Sequence, residues 1–139
     1  MCGIAGEISF DGSYPSQSNI EKMLKEIEPR GPDGQGIYGQ DNICFGHRRL
    51  KIIDLSDHAA QPMIDSDLGL VIVFNGCIYN FLEIKKYLKS KNIYFSTNSD
   101  TEVVANAYMH FGDKSFNYFD GMWAIAIYDR EKKEILLSR

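Results

Sequence analysis

The 139-residue sequence lacks the features by which membrane, secreted and nucleic-acid-binding proteins are recognised. No segment approaches the roughly 20 consecutive apolar residues of a membrane-spanning helix. The N-terminus also lacks the basic stretch and the apolar core of a secretory signal peptide. Lysine and arginine number 15 against 19 aspartate and glutamate residues, so no excess of positive charge is available to bind a phosphate backbone. We therefore expect a cytoplasmic protein with neither a nucleic-acid nor a membrane partner.

Cysteine and histidine are scarce, and neither is clustered. Cys2, Cys44 and Cys77 are far apart and form no C-x-x-C pair, and no histidine stands at metal-ligand spacing from them. This distribution predicts neither a disulfide framework nor a metal site.

The order of hydrophobic patterns predicts a single α+β domain. No internal repeat, low-complexity tract or linker divides the chain, and possible helix caps stand at Ser18, Asn80 and Ser99. Strands are predicted at residues 2–10, 36–39, 43–53, 70–74, 122–128 and 134–137, with a polar loop at 54–67. In this order the helices should cover the outer faces of packed sheets. The last strand is followed by no turn, so we expect a C-terminally incomplete domain.

Cys2 is the first candidate for chemistry because it directly follows the initiator Met1. Removal of Met1 would leave a nucleophilic thiol and a free α-amine on one residue, and the amine could act as the base. The alternative is that a small second residue serves methionine removal alone.

Four further residues carry groups that could bind a polar ligand. Asn75 and Gly76 end an apolar strand, where a side-chain amide and a backbone N–H could stabilise an oxyanion; Asn-Gly is equally a common hairpin turn. Strand alternation places Arg49 on the same face as His47, where its guanidinium could hold a carboxylate, although a solvated strand edge also fits. Asp100 stands in the first turn of a predicted helix, where it could serve as a structural cap or could bind the ammonium group of a ligand.

Seven short motifs together resemble the class II glutamine amidotransferase domain of the asparagine synthetase family. They are Met1-Cys2-Gly3-Ile4-Ala5-Gly6, Arg30-Gly31-Pro32-Asp33, Gly46-His47-Arg48-Arg49-Leu50, Gln61-Pro62-Met63, Asn75-Gly76-Cys77-Ile78-Tyr79-Asn80, Ser99-Asp100-Thr101-Glu102 and Asp120-Gly121-Met122-Trp123-Ala124. The resemblance covers essentially the whole chain. It implies a four-layer α/β/β/α sandwich of the N-terminal-nucleophile hydrolase type.

The resemblance also implies a function for each candidate residue. Cys2 would attack the side-chain amide of glutamine, with Asn75 and Gly76 holding the oxyanion. Arg49 would bind the α-carboxylate and Asp100 the α-ammonium group, and the backbone at Ile52 and Ile53 would line the pocket. Ammonia would pass to a synthetase domain of the same polypeptide. That synthetase domain would use ATP and magnesium, and it is absent from this chain. The amidotransferase domain itself would span residues 1–139, or 2–139 after removal of Met1, and would need no cofactor. The resemblance also allows a homodimer.

Cys77 departs from the family pattern, because typical asparagine synthetases have glutamate at this position. With a non-acidic residue here, the segment also resembles enzymes that amidate N-acetylglutaminylglutamine. This compound is therefore an alternative acceptor for the ammonia. An alternative of a different class is a non-catalytic fragment or regulatory module that keeps the fold without turnover.

Overall fold

The chain forms three α-helices, seven strands and three short 3-10 helices, and the computed structural model describes all residues from Met1 to Arg139. The helices are α1 (Gln17–Glu26), α2 (Phe81–Ser90) and α3 (Asp100–Phe111). The strands are β1 (Gly3–Ile8), β2 (Gly34–Gln40), β3 (Ile43–Arg49), β4 (Met63–Asp65), β5 (Leu70–Ile78), β6 (Gly121–Asp129) and β7 (Glu134–Ser138). None of the helices combines the length and the apolar character needed to cross a membrane.

The strands form two antiparallel sheets. The first has the order β1-β3-β2, and the second has the order β4-β5-β6-β7. In the second sheet β4 pairs with β5 only as far as Ile72, whereas β6 accompanies β5 through to Ile78. One edge of β5 is therefore left without a neighbouring strand over its last residues.

Three apolar interfaces join four layers, as the family resemblance implies. Ile20 and Leu24 of α1 pack on the outer face of the first sheet. The two sheets pack together through a second apolar cluster, formed by Ile43, Phe45, Val71, Val73, Ala126 and Tyr128. A third and larger cluster lies between the second sheet and the helices α2 and α3. The predicted α/β/β/α sandwich is confirmed, and both sheets place alternate residues in the interface between them.

Several predicted boundaries are wrong. Helix α1 begins at Gln17 after Ser16, so Ser18 lies inside the helix and caps nothing. Strand β3 ends at Arg49 instead of near residue 53, and the loop predicted at 54–67 contains β4. Strand β5 runs on to Ile78, so Asn75-Gly76 lies within a strand and forms no turn.

Candidate active site

One cavity gathers most of the residues that the sequence singles out. It has a volume of about 190 Å³ and lies where the start of β1, the end of β3, the end of β5 and the start of α3 meet. Six of the seven predicted site residues line it: Cys2, Arg49, Ile52, Ile53, Gly76 and Asp100. Asn75 is the exception.

Cys2 lies directly before β1 and is held by Leu50 and Arg30. The Leu50 N–H donates to the Cys2 thiol sulfur at 3.3 Å, and this sulfur lies 3.7 Å from the Leu50 carbonyl oxygen. The guanidinium of Arg30 donates to the Cys2 carbonyl at 3.1 Å. The Cys2 thiol is thus held next to Leu50, at the C-terminal end of β3.

Arg49 is buried, with 7% of its surface exposed, and faces the cavity. Its guanidinium donates to the carbonyl oxygens of Asp54 at 2.5 Å and Ser56 at 2.8 Å. Because a guanidinium carries five N–H groups, others remain to bind a carboxylate. The neighbouring Arg48 points the other way and donates to the Leu24 carbonyl of α1, as strand alternation predicts.

The unpaired edge of β5 aims one backbone N–H at the cavity. On a strand, residues two apart present their N–H groups to the same edge. On this edge the Phe74 N–H donates to Gln61 and the Ile78 N–H donates to Asp100. Gly76 lies between them, beyond the reach of β4, so its N–H faces the cavity. A side chain at Gly76 would overlap the Met122 carbonyl of β6, so only glycine fits here.

Asp100 opens α3 and presents its carboxylate to the cavity. Its Oδ2 accepts the Ile78 N–H at 3.2 Å, which ties α3 to β5. Burial raises the pKa of the Asp100 carboxyl above its usual range, although the hydrogen bond from Ile78 acts in the opposite direction. Burial, and then the charge of Asp100, also raise the pKa of the Cys77 thiol, which lines the same cavity. Cys77 therefore favours its neutral form.

Asn75 lies next to the cavity without lining it. Strand alternation turns its side chain toward the interface between the sheets, on the same face as Val71 and Val73. Its Oδ1 is buried and has no hydrogen-bond partner. A buried amide oxygen without a partner is uncommon and is consistent with a side chain that changes its contacts when a ligand binds.

Four residues that contact the site carry no role in the sequence analysis: Arg30, His47, Asp54 and Gln61. Asp54 accepts hydrogen bonds from Ser56 and from the Asn98 N–H, and these lower its pKa to about 2. Through the bond from Asn98, Asp54 links the loop at 54–56, whose carbonyls accept from Arg49, to the segment just before Asp100. Arg30, His47 and Gln61 all lie within the recognised motifs, so the motifs marked their positions but not their contacts.

The sequence matches the glutamine amidotransferase domain family over residues 1–139. The chain belongs to that family. It is 40% identical over its full length to a Methanocaldococcus jannaschii protein that is provisionally named an asparagine synthetase (glutamine-hydrolyzing), and it covers 30% of that protein. It is 35% identical over its full length to asparagine synthetase (glutamine-hydrolyzing) 2 of Oryza sativa, of which it covers 23%.

A solved structure has the same fold as this glutamine amidotransferase domain. Glutamine phosphoribosylpyrophosphate amidotransferase from B. subtilis, complexed with ADP and GMP, superposes on 93% of the chain with a TM-score of 0.71 and 20% sequence identity. The N-terminal-nucleophile hydrolase fold predicted from the sequence is thereby confirmed. The chain spans about a quarter of the length of the curated relatives it matches.

Proposed function

We propose that this amidotransferase domain hydrolyses glutamine to glutamate and ammonia, with Cys2 as the nucleophile. The observation that carries the proposal is the convergence of a thiol, a buried guanidinium, a carboxylate and an unpaired backbone N–H on one cavity. An amino acid presents a carboxylate and an ammonium group, which match Arg49 and Asp100 in charge. The side-chain amide of the same molecule would then lie against Cys2.

The reaction requires Met1 to be removed, because only then does Cys2 have a free α-amine. That amine accepts the thiol proton, directly or through a water molecule, as the sulfur attacks the amide carbon of glutamine. The negative oxygen of the tetrahedral intermediate is stabilised by the Gly76 N–H and by the side-chain amide of Asn75. The C–N bond of the glutamine side chain then breaks, and the protonated α-amine of Cys2 gives its proton to the leaving nitrogen, which departs as ammonia. Water finally hydrolyses the Cys2 thioester, which releases glutamate and restores the thiol.

The oxyanion role of Asn75 requires its NH₂ group to reach the developing charge. No protein donor holds the oxygen of this amide, since Oδ1 is unpartnered. A rotation of the side chain toward Cys2 therefore breaks no hydrogen bond at Oδ1. This is the one element of the proposed machinery that does not line the cavity.

Ammonia is consumed, in this proposal, by an ATP-dependent synthetase domain of a longer polypeptide, which would also hold magnesium. The support is that these curated relatives are named asparagine synthetases and are roughly three to four times as long as this chain. Asparagine formation is accordingly the acceptor reaction we favour.

Measuring glutamate release from glutamine by three proteins tests the proposal. The wild type should produce glutamate, and Cys2→Ala should produce none. Cys44→Ala is the matched control, because Cys44 is buried under α1 and lies away from the cavity. Full activity in Cys2→Ala, or equal loss in both variants, would contradict the role of Cys2.

A further inference from the structure

Side chains, instead of a strand, complete the edge of β5 that carries Gly76. Strand β4 pairs with β5 no further than Ile72. Two residues on, the Phe74 N–H donates to Oε1 of Gln61 at 2.6 Å, and Nε2 of His47 lies 3.2 Å from the Phe74 carbonyl. Because a carbonyl only accepts, His47 must carry its proton on Nε2 and donate it. Both main-chain groups of Phe74 are therefore satisfied by side chains.

The orientation of the Gln61 amide follows from this bond. A backbone N–H can only donate, so the Gln61 oxygen must face Phe74, and its NH₂ group must face the opposite way. There it donates to Oγ1 of Thr101 at 3.2 Å. Gln61 and Thr101 are both buried, with 8% and 3% of their surfaces exposed. Each end of the Gln61 side-chain amide thus has one fixed partner.

The main chain of Gln61 is also held in place. Its carbonyl lies so close to Gly36 of β2 that a side chain at Gly36 would overlap it. The residue is therefore fixed against the first sheet by its backbone, and against β5 and α3 by its side chain.

Both hydrogen-bond partners of the Gln61 side chain are close in sequence to proposed site residues. Phe74 is two residues before Gly76 on the same edge of β5, and Thr101 directly follows Asp100 in α3. Gln61 is consequently a second side-chain connection, beside the bond of Asp100 to Ile78, between the strand carrying the oxyanion donor and the helix carrying the carboxylate.

We propose that Gln61 is a positioning residue that fixes the Gly76 N–H relative to the Asp100 carboxylate. The inference rests on the proposed function, which gives those two groups their roles. We assign Gln61 a positioning role and not a substrate-binding one, because each end of its amide already has one protein partner. It acts by keeping the distance between the oxyanion donor and the ammonium-binding carboxylate matched to one molecule of glutamine.

The kinetic test replaces Gln61 with methionine, which has a similar length and no hydrogen-bonding amide. A reacting geometry that shifts by about 1 Å lowers the rate by roughly 10²-fold, so we expect kcat to fall 10- to 100-fold. Gln17→Met is the matched control, because Gln17 is exposed on α1 and far from the cavity. A purely structural role would lower the melting temperature and leave kcat unchanged at temperatures well below it; that result would overturn the inference.

A second test needs no turnover and separates the inference from the proposed function. Thr101→Val removes the hydroxyl with little change of shape, and Thr101→Ser retains it. If Gln61 transmits the position of α3 to β5, amide hydrogen exchange at Phe74 should become roughly fivefold faster in Thr101→Val and return to the wild-type rate in Thr101→Ser. Exchange elsewhere in β5 and β6 should be unchanged.

The two tests fail in distinguishable ways. Unchanged exchange at Phe74 in Thr101→Val overturns the inference whether or not the protein is active. A wild type that releases no glutamate, with the Phe74 response present, overturns the proposed function and removes the positioning role of Gln61 in catalysis with it.

Discussion

Acidification should destabilise the protein through His47, and the structure gives the magnitude. His47 is completely buried between the sheets, where its Nε2–H donates to the Phe74 carbonyl and its Nδ1 has no partner. Burial, with a smaller contribution from the charge of Arg49, lowers the pKa of His47 from 6.5 to about 4. The imidazole is therefore neutral in the folded protein at neutral pH.

The direction of the effect follows from the protons bound by each state. Between pH 6.5 and 4 the unfolded chain carries a proton on His47 and the folded protein does not, so lowering the pH favours unfolding. One pKa unit corresponds to 1.36 kcal/mol, so the full contribution is about 3 kcal/mol, of which about 2.5 kcal/mol is reached at pH 4.5. That is a large part of the net stability of a small domain, which is typically about 5–15 kcal/mol.

The assay is urea unfolding of the wild type and of His47→Gln at pH 7 and pH 4.5. Glutamine keeps an N–H donor and does not titrate, so its loss of stability on acidification should be smaller by about 2.5 kcal/mol. Asp100 acts in the opposite sense, since its raised pKa favours the folded state at low pH, but it is common to both proteins and cancels in the comparison. Equal losses in the two proteins would refute the argument.

Three substitutions separate the proposed roles in the site. Arg49→Ala should raise KM for glutamine roughly 10- to 100-fold with a smaller change in kcat, because a charged hydrogen-bond donor to the substrate is lost; an unchanged KM would exclude carboxylate binding. Asn75→Ala should lower kcat roughly 10²- to 10³-fold in steady-state assays, and a change confined to KM would contradict its oxyanion role. Gly76→Ala should lower both kcat and the melting temperature, because the new Cβ overlaps the Met122 carbonyl and displaces β5 from β6; wild-type values for both would contradict the close approach.

The parts of the fold that depend on local periodicity were predictable from the sequence. Alternation along β3 correctly separates Arg49, which faces the cavity, from Arg48, which faces α1. The cap at Ser99 is also correct, because its Oγ accepts the Glu102 N–H at 3.2 Å. These features are determined within a few residues of the chain, where propensity and spacing act directly.

The parts that depend on long-range pairing were not predictable in this way. Asn75-Gly76 is a local turn signal, yet pairing with β6 keeps it in a strand. Gln61 bonds to partners 13 and 40 residues away, and no spacing in the sequence indicates either contact. The family motifs marked Gln61 as a position of interest, and only the folded arrangement gives it a physical role.

Intact-mass analysis of a preparation with measured glutaminase activity tests whether the α-amine and the thiol of Cys2 act together. We expect glutamate release to track the fraction of molecules lacking Met1, because only those have a free amine on the nucleophile. Protein that retains Met1 should be inactive, and Cys2→Ala should be inactive in either form. Full glutaminase activity in protein that retains Met1 would show that the α-amine of Cys2 is not the base.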